Sequence, residues 1–144
     1  SVEVLEQFAN GMTLLGVPPM WNGIVDVRDV ADAHILAALN ENASGRYIIS
    51  GGSFSLLEMG KILRQHFGQK FPFPRNQVPK KAFKFIGPVF GYSKDFIEKN
   101  MGYPIFFNAN KSKQELGMSY RNIETSLTEH FQQLLDDGVV KKYL

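Results

Sequence analysis

The spacing of apolar residues predicts a helix at each end of the chain. Near the start, Leu5 and Phe8 share one helical face, and Gly11 follows where a helix commonly ends. Near the other end, Asn122 is a predicted N-cap residue for a helix with one apolar stripe, which stops at Gly138. Each helix therefore has one face to bury against the rest of the chain.

The middle of the chain predicts a capped helix followed by broken structure. Ser55 and Glu58 have the spacing of a capping box, and an apolar helical face follows until Gly68. Several prolines then divide residues 71–104 into short helices and extended pieces. The segment "NKSKQELG" predicts one more short helix.

Short apolar runs predict the strands. We expect strands in "MTLLG", in "IVDV", and at Phe106 and Phe107. The stretch "GRYIISGG" has an apolar run between glycines, as in a buried parallel strand. No repeat or linker divides the chain, so residues 1–144 form one predicted α/β unit, mostly helical with a few short strands.

Three aspartates spaced three residues apart, with His34 nearby, have two interpretations. They could bind a metal, or they could begin a helix over Val30–Leu39. Asp29 directly precedes that apolar stretch and Asp32 lies in its first turn, where carboxylates accept hydrogen bonds from free amides. Asp26 lies on the predicted strand, and the side chains diverge. We therefore predict that Asp29 is the N-cap and that no metal binds.

Composition excludes several classes of protein. The chain has 144 residues, 44% hydrophobic, with a net charge of +2, which indicates a folded domain and no nucleic-acid partner. It has no cysteine, hence no disulfide, which is typical of the cytoplasm. No apolar run approaches the ~20 residues of a membrane span. The chain does not begin with Met, which indicates a chain cut from a longer one.

Features that could bind phosphate are incomplete. Gly51 and Gly52 follow a predicted strand, but the dinucleotide fingerprint needs G-x-G-x-x-G. Lys80, Lys81 and Lys84 form a basic cluster that could contact a phosphate, although a solvated helix face is the simpler interpretation.

The loop "GVPPMWNG" is a candidate binding segment. Two prolines restrict its backbone, and Met20 and Trp21 are large apolar residues in a segment otherwise suited to the surface. Trp21 could line a pocket, or it could simply pack into the core.

The order of these elements resembles a known family. "IVDVRDVADAHILAAL", then "GRYIISGG", then a capped helix, then "NKSKQELG" and a last amphipathic helix resemble the C-terminal part of extended short-chain dehydrogenases/reductases. The chain is most similar to the dihydroflavonol reductase-like branch, which includes cinnamoyl-CoA reductases and NAD-dependent epimerase/dehydratase-like proteins. The resemblance implies a Rossmann-type fold that lacks its dinucleotide-binding part.

The resemblance also implies that the catalytic residues lie outside this chain. The family's glycine-rich phosphate loop, and its Ser with Tyr-x-x-x-Lys, belong to the N-terminal part, and no tyrosine here has a lysine four residues later. We therefore expect no catalytic residue here and no activity from the chain alone. NAD(P) would bind the full-length parent and not this chain.

By matching order of elements, the resemblance places the substrate-binding residues near the start of the chain. Ser1 would fall at the family's Pro-Ser segment beside the catalytic tyrosine, and Gly23 stands where plant flavonoid reductases often have a polar side chain. The implied substrate-binding residues are Ser1, Val17, Pro18, Met20, Trp21 and Gly23.

Three functions follow from the sequence. The first is the substrate-binding portion of an NAD(P)-dependent reductase or epimerase, whose partners are a small-molecule substrate and the missing N-terminal portion. The second is a non-catalytic ligand- or protein-binding module, and the third is a fragment left by proteolysis. A Tyr-x-x-x-Lys upstream of Ser1 would favour the first. Alone, the apolar helix over Val30–Leu39 would be uncovered, so we expect the isolated chain to self-associate.

Overall fold

The computed structural model describes residues 2–140, which leaves Ser1 and residues 141–144 outside the description. Its helices are α1 (Val2–Ala9), α2 (Val27–Leu39), α3 (Leu56–Phe67), α4 (Lys80–Ile86), a 3-10 helix (Gly87–Phe90), α5 (Lys94–Asn100), α6 (Asn110–Glu115) and α7 (Ile123–Asp136). Its strands are β1 (Trp21–Ile24) and β2 (Gly52–Ser55). The predicted class, mostly helical with short strands, is confirmed.

The two strands form a small antiparallel sheet. Trp21 pairs with Ser55, and Gly23 pairs with Ser53. Strand β1 leads into α2 after two residues, and β2 leads directly into α3. The sheet therefore lies where the two helices begin.

The main core is aromatic and lies between α1, α3 and α7. The ring of Phe131 is fully buried, with its centroid 4.8 Å from that of Phe67 and 5.2 Å from those of Phe71 and Phe73. Tilted and edge-to-face pairs at such distances add to the free energy gained by burying the rings. The apolar faces predicted for α1, α3 and α7 are those that meet here.

A second apolar cluster joins α4 to α5. Phe83, Ile97 and Met101 are buried together, and Met20 packs against both this cluster and the main core. The segment before β1 therefore connects these two clusters.

Local capping follows the sequence closely for α3 and α7. Ser55 Oγ accepts from the Glu58 amide at 3.2 Å, and Glu58 Oε2 accepts from the Ser55 amide at 2.7 Å, which completes the predicted capping box. Asn122 Oδ1 accepts from the Thr125 amide at 3.1 Å, as predicted.

The predicted cap of α2 is wrong by one turn. The helix begins at Val27 and its N-cap is Asp26, whose carboxylate accepts from the Arg28 amide at 2.8 Å. Asp29 occupies the third helical position and is fully buried. Both positions suit a carboxylate, so the choice depends on partners from distant residues. Among the described residues, no cluster of His, Asp and Glu could hold a metal ion.

Most of the predicted strands do not form in the described part of the chain. "MTLLG" is a series of turns, "RYIIS" is extended without a ladder partner, and Phe106 and Phe107 are not in a strand. The "IVDV" strand lies earlier than predicted, at Trp21–Ile24. A strand requires a hydrogen-bonding neighbour, which apolar composition alone cannot supply.

No helix among the described residues is long and apolar enough to cross a membrane.

Candidate substrate-facing site

The segment that precedes β1 is anchored to the core at Val17. Val17 is fully buried, its amide donates to the Asn76 carbonyl at 3.0 Å, and its own carbonyl accepts from the Val78 amide at 2.9 Å. Val17, predicted to contact the substrate, is therefore buried and not at the surface. Ser1 lies outside the described residues.

Pro18 and Met20 are partly buried, and Pro19 between them is buried. The carbonyl of Pro19 accepts from the Gly102 amide at 2.6 Å. The backbone of Gly102 is in the left-handed region, with φ of 80°, so a glycine suits this position. This hydrogen bond brings a distant segment onto the start of β1.

Trp21 and Gly23 lie on one face of the sheet. Side chains alternate along a strand, so residues 21 and 23 point the same way while Asn22 points the other way. Their partners across the ladder, Ser55 and Ser53, lie on the same face. This surface is called the tryptophan face below.

An aromatic strap, residues 102–107 with the sequence "GYPIFF", crosses the tryptophan face. The hydroxyl of Ser53 donates to the carbonyl of Ile105. The ring of Phe107 lies directly over Gly23. The strap therefore adds aromatic surface beside Trp21.

The first residues of the strap are fixed by the basic cluster. Lys80 Nζ donates to the Glu98 carbonyl at 2.7 Å and lies 4.2 Å from the centroid of the Tyr103 ring, a cation–π contact. Lys84 bonds the Glu98 carboxylate at 2.8 Å and holds its pKa below the usual value. These two lysines are thus engaged with α5 and the strap.

Two ion-pair groups anchor α2 to α7 beside the site. Asp26, the N-cap of α2, accepts from the Arg28 guanidinium through both oxygens, at 2.9 and 2.6 Å, and from Ser126 Oγ at 2.6 Å. The Arg28 hydrogen bond is the main cause that holds the pKa of Asp26 well below its usual value. Arg28 also reaches Glu129 at 2.7 Å.

The second group centres on Arg121. Its guanidinium donates to Asp32 at 3.0 Å and to Asp29, and its amide donates to Asp29 Oδ2 at 2.9 Å. Hydrogen bonds to Asp32 first, and then to Asp29, raise the pKa of Arg121. The buried carboxylate of Asp29 is therefore paired, as a buried charge must be.

Gly51 and Gly52 do not form a cradle for a phosphate. A Cβ at Gly51 would lie 2.6 Å from Cδ1 of Ile123, and one at Gly52 would lie 2.9 Å from the Phe54 ring. These glycines admit neighbouring apolar side chains. The residues present therefore do not fit the phosphates of NAD(P).

The tryptophan face presents aromatic surface and the hydroxyl groups of Ser53 and Ser55, and it presents no acid–base pair. The sequence predicts Met20, Trp21 and Gly23 as substrate-binding residues, and nothing in it singles out Ser53 or Phe107 for this face. The sequence signal for the strap is its high aromatic content, and at Phe106 and Phe107 this content predicts a strand that does not form.

Comparisons with known proteins agree with the fold. No protein-family profile matches the chain. It is 30% identical over 112 residues to cinnamoyl-CoA reductase CAD2 of Medicago truncatula, which covers 78% of this chain and 28% of that protein. It is 27% identical over 121 residues to the NADPH-dependent methylglyoxal reductase GRE2 of Saccharomyces cerevisiae, covering 83% and 31%.

Solved structures extend the likeness over nearly the whole chain. A structure of Gre2 from Candida albicans in complex with NADPH matches with a TM-score of 0.60 and 26% identity, over 93% of this chain and 34% of that one. The structure of gox2253 matches with a TM-score of 0.72 over 96% and 44%; at 22% identity, it shows the fold alone.

The chain thus has the fold of one part of a Rossmann-type dehydrogenase. The sequence relatives identify the class of dehydrogenase more closely: the chain is homologous to part of the extended short-chain dehydrogenases/reductases. It spans about 30% of the length of the curated relatives named above, from 28% to 31%.

Proposed function

We propose that this chain is the substrate-binding portion of an NAD(P)-dependent reductase of carbonyl compounds. The observation that carries the proposal is the tryptophan face, where Trp21 and Gly23 lie on one side of the sheet and the Phe107 ring of the strap contacts Gly23. Its lining suits the apolar body of a ligand and supplies no acid–base pair of its own. The relatives named as cinnamoyl-CoA and methylglyoxal reductases support a carbonyl substrate.

The chemistry depends on a second portion that binds NAD(P). This chain has neither the glycine-rich loop nor the Tyr-x-x-x-Lys pair, and its Gly51–Gly52 turn is filled by apolar side chains. The chain alone is therefore not catalytically competent. Its own residues bind and orient the substrate, and the bound cofactor supplies the hydride.

Two uncovered features form the surface for that second portion. Val27, Ile35 and Leu39 of α2 are exposed apolar residues, and residues 46–50 are extended without a ladder partner among the described residues. A sheet supplied by the cofactor-binding portion would pair with the extended segment and cover the helix. The assembled enzyme would work in the cytoplasm on a small-molecule substrate.

Titration and turnover assays test the proposal. Calorimetry of this chain with NADPH and NADH should show no micromolar binding, while the longer protein that contains it should oxidise NADPH when given cinnamaldehyde or methylglyoxal. Micromolar binding by the chain would contradict the assignment of the cofactor to a second portion. A longer protein that binds a carbonyl compound and never reduces it would be the non-catalytic binding module.

A further inference from the structure

We propose that Gly23 and Phe107 act as a pair that sets the size of the substrate admitted to the tryptophan face. The inference rests on the proposed function and adds a specificity-determining contact to it. Gly23 provides the flat surface on which the Phe107 ring lies, and the position of the ring decides how much room remains beside Trp21.

The glycine is required by the ring. A Cβ at residue 23 would lie 2.6 Å from Cε2 of Phe107 and 2.8 Å from Cδ2, well inside contact distance. Gly23 is not among the glycines with positive φ, so its backbone would accept another residue. Any larger side chain would thus move the Phe107 ring.

The strap backbone is anchored at the same place. Ser53, which donates to the Ile105 carbonyl, is the ladder partner of Gly23. The Gly102 amide holds the other end of the strap on Pro19. The strap backbone is held at these two points. A side chain at residue 23 should therefore rotate the Phe107 ring more readily than it shifts the strap along the sheet.

The ring is positioned to meet a ligand. Phe107 is 45% exposed and Gly23 is exposed as well, so the ring contacts Gly23 while part of it remains open. Trp21 is two residues away on the same face, a separation on the order of 7 Å along a strand. Two aromatic side chains on one face suit contact with a planar, unsaturated substituent.

The two substitutions have opposite expected effects. Phe107→Ala removes the ring and leaves room for a bulky substrate. Gly23→Ala displaces the ring away from the sheet, into the space that the substrate would occupy. In the double variant, the methyl group at residue 23 meets no ring, so it should behave like Phe107→Ala alone. This dependence of one substitution on the other would not follow from a general loss of packing.

The experiment compares kcat/KM for cinnamaldehyde with kcat/KM for methylglyoxal, using the longer reductase that contains this chain and NADPH. We expect Phe107→Ala to raise this ratio by about tenfold, Gly23→Ala to lower it, and the double variant to match Phe107→Ala. Phe85→Ala is the matched control, because Phe85 is 81% exposed on α4, away from β1 and the strap in sequence, and should leave the ratio unchanged.

The outcomes separate this inference from the proposed function. A wild-type protein that reduces neither compound overturns the proposed function. An active wild-type protein whose ratio is the same in Phe107→Ala overturns the size-setting pair and leaves the proposed function standing. Single effects that simply add in the double variant also overturn it. If Gly23→Ala does not fold, the ratio for Phe107→Ala still decides.

Discussion

At the scale of single residues, the neighbours Met20 and Trp21 have different environments although both were predicted to face substrate. Met20 is partly buried and packs against two apolar clusters. Trp21 begins β1 on the face that the strap crosses. Met20 therefore contributes mainly to packing between the two clusters. Trp21 is only partly buried and lies on the same face as Gly23.

Substitution by Ala should separate these roles. In the longer reductase, Trp21→Ala should raise KM or change substrate preference more than it lowers Tm. Met20→Ala should instead destabilise the fold by about 2 kcal/mol, because it leaves a gap between two clusters. Steady-state kinetics and thermal melts measure both. Unaltered kinetics with a large drop in Tm for Trp21→Ala would show that this ring is only part of the core.

At the scale of elements, the junction of α2 with α7 depends on charge. Asp26 caps α2 and at the same time bonds Arg28 and, from α7, Ser126. Arg121, which precedes α7, holds Asp29. Since β1 leads into α2, these contacts also fix the end of the sheet that carries the tryptophan face.

The lowered pKa of Asp26 predicts how stability depends on pH. The folded state favours the ionised carboxylate, so this stabilisation is fully present above the usual Asp pKa and is lost as pH falls through the lower folded value. Urea unfolding of this chain between about pH 6 and pH 3 should show a falling free energy of unfolding.

The variant Asp26→Asn should reduce that slope, because it removes the titrating group. Glu41→Gln is the control: Glu41 is exposed in the turn after α2 and belongs to neither ion-pair group, so its slope should stay close to that of the wild type. Equal slopes in the wild type and Asp26→Asn would contradict a role for Asp26 in acid stability.

At the scale of the whole molecule, the exposed face of α2 is the feature most in need of a partner. Val27 and Leu39 are each 78% exposed, and the extended segment of residues 46–50 has no ladder partner in the described structure. Apolar patches on monomers are usually a few hundred Å² at most. The isolated chain should therefore cover this face with a second copy, in a two-fold arrangement.

Light scattering over a dilution series tests that expectation. The isolated chain should dissociate on dilution, and Leu39→Lys should shift it toward the monomer. Leu15→Lys is the matched control, because Leu15 is 93% exposed in the turns after α1 and not on α2. A monomer at every concentration, with no binding of a hydrophobic dye, would show that this face needs no cover.

The sequence by itself determined the elements whose signals are local. A capping box and an N-cap asparagine act within one turn of helix, so Ser55, Glu58 and Asn122 could be assigned without tertiary contacts. The order of the elements also indicated the resemblance to the extended short-chain dehydrogenases/reductases.

Tertiary structure alone decided the features that depend on distant partners. Asp26 and Asp29 are equally suited to begin a helix, and contacts with Ser126 and Arg121 selected the first as the cap. The run "RYIIS" has strand composition, but a ladder needs a neighbouring strand at hydrogen-bonding distance. The contact between Phe107 and Gly23 joins residues far apart along the chain, and no periodic pattern within either segment records it.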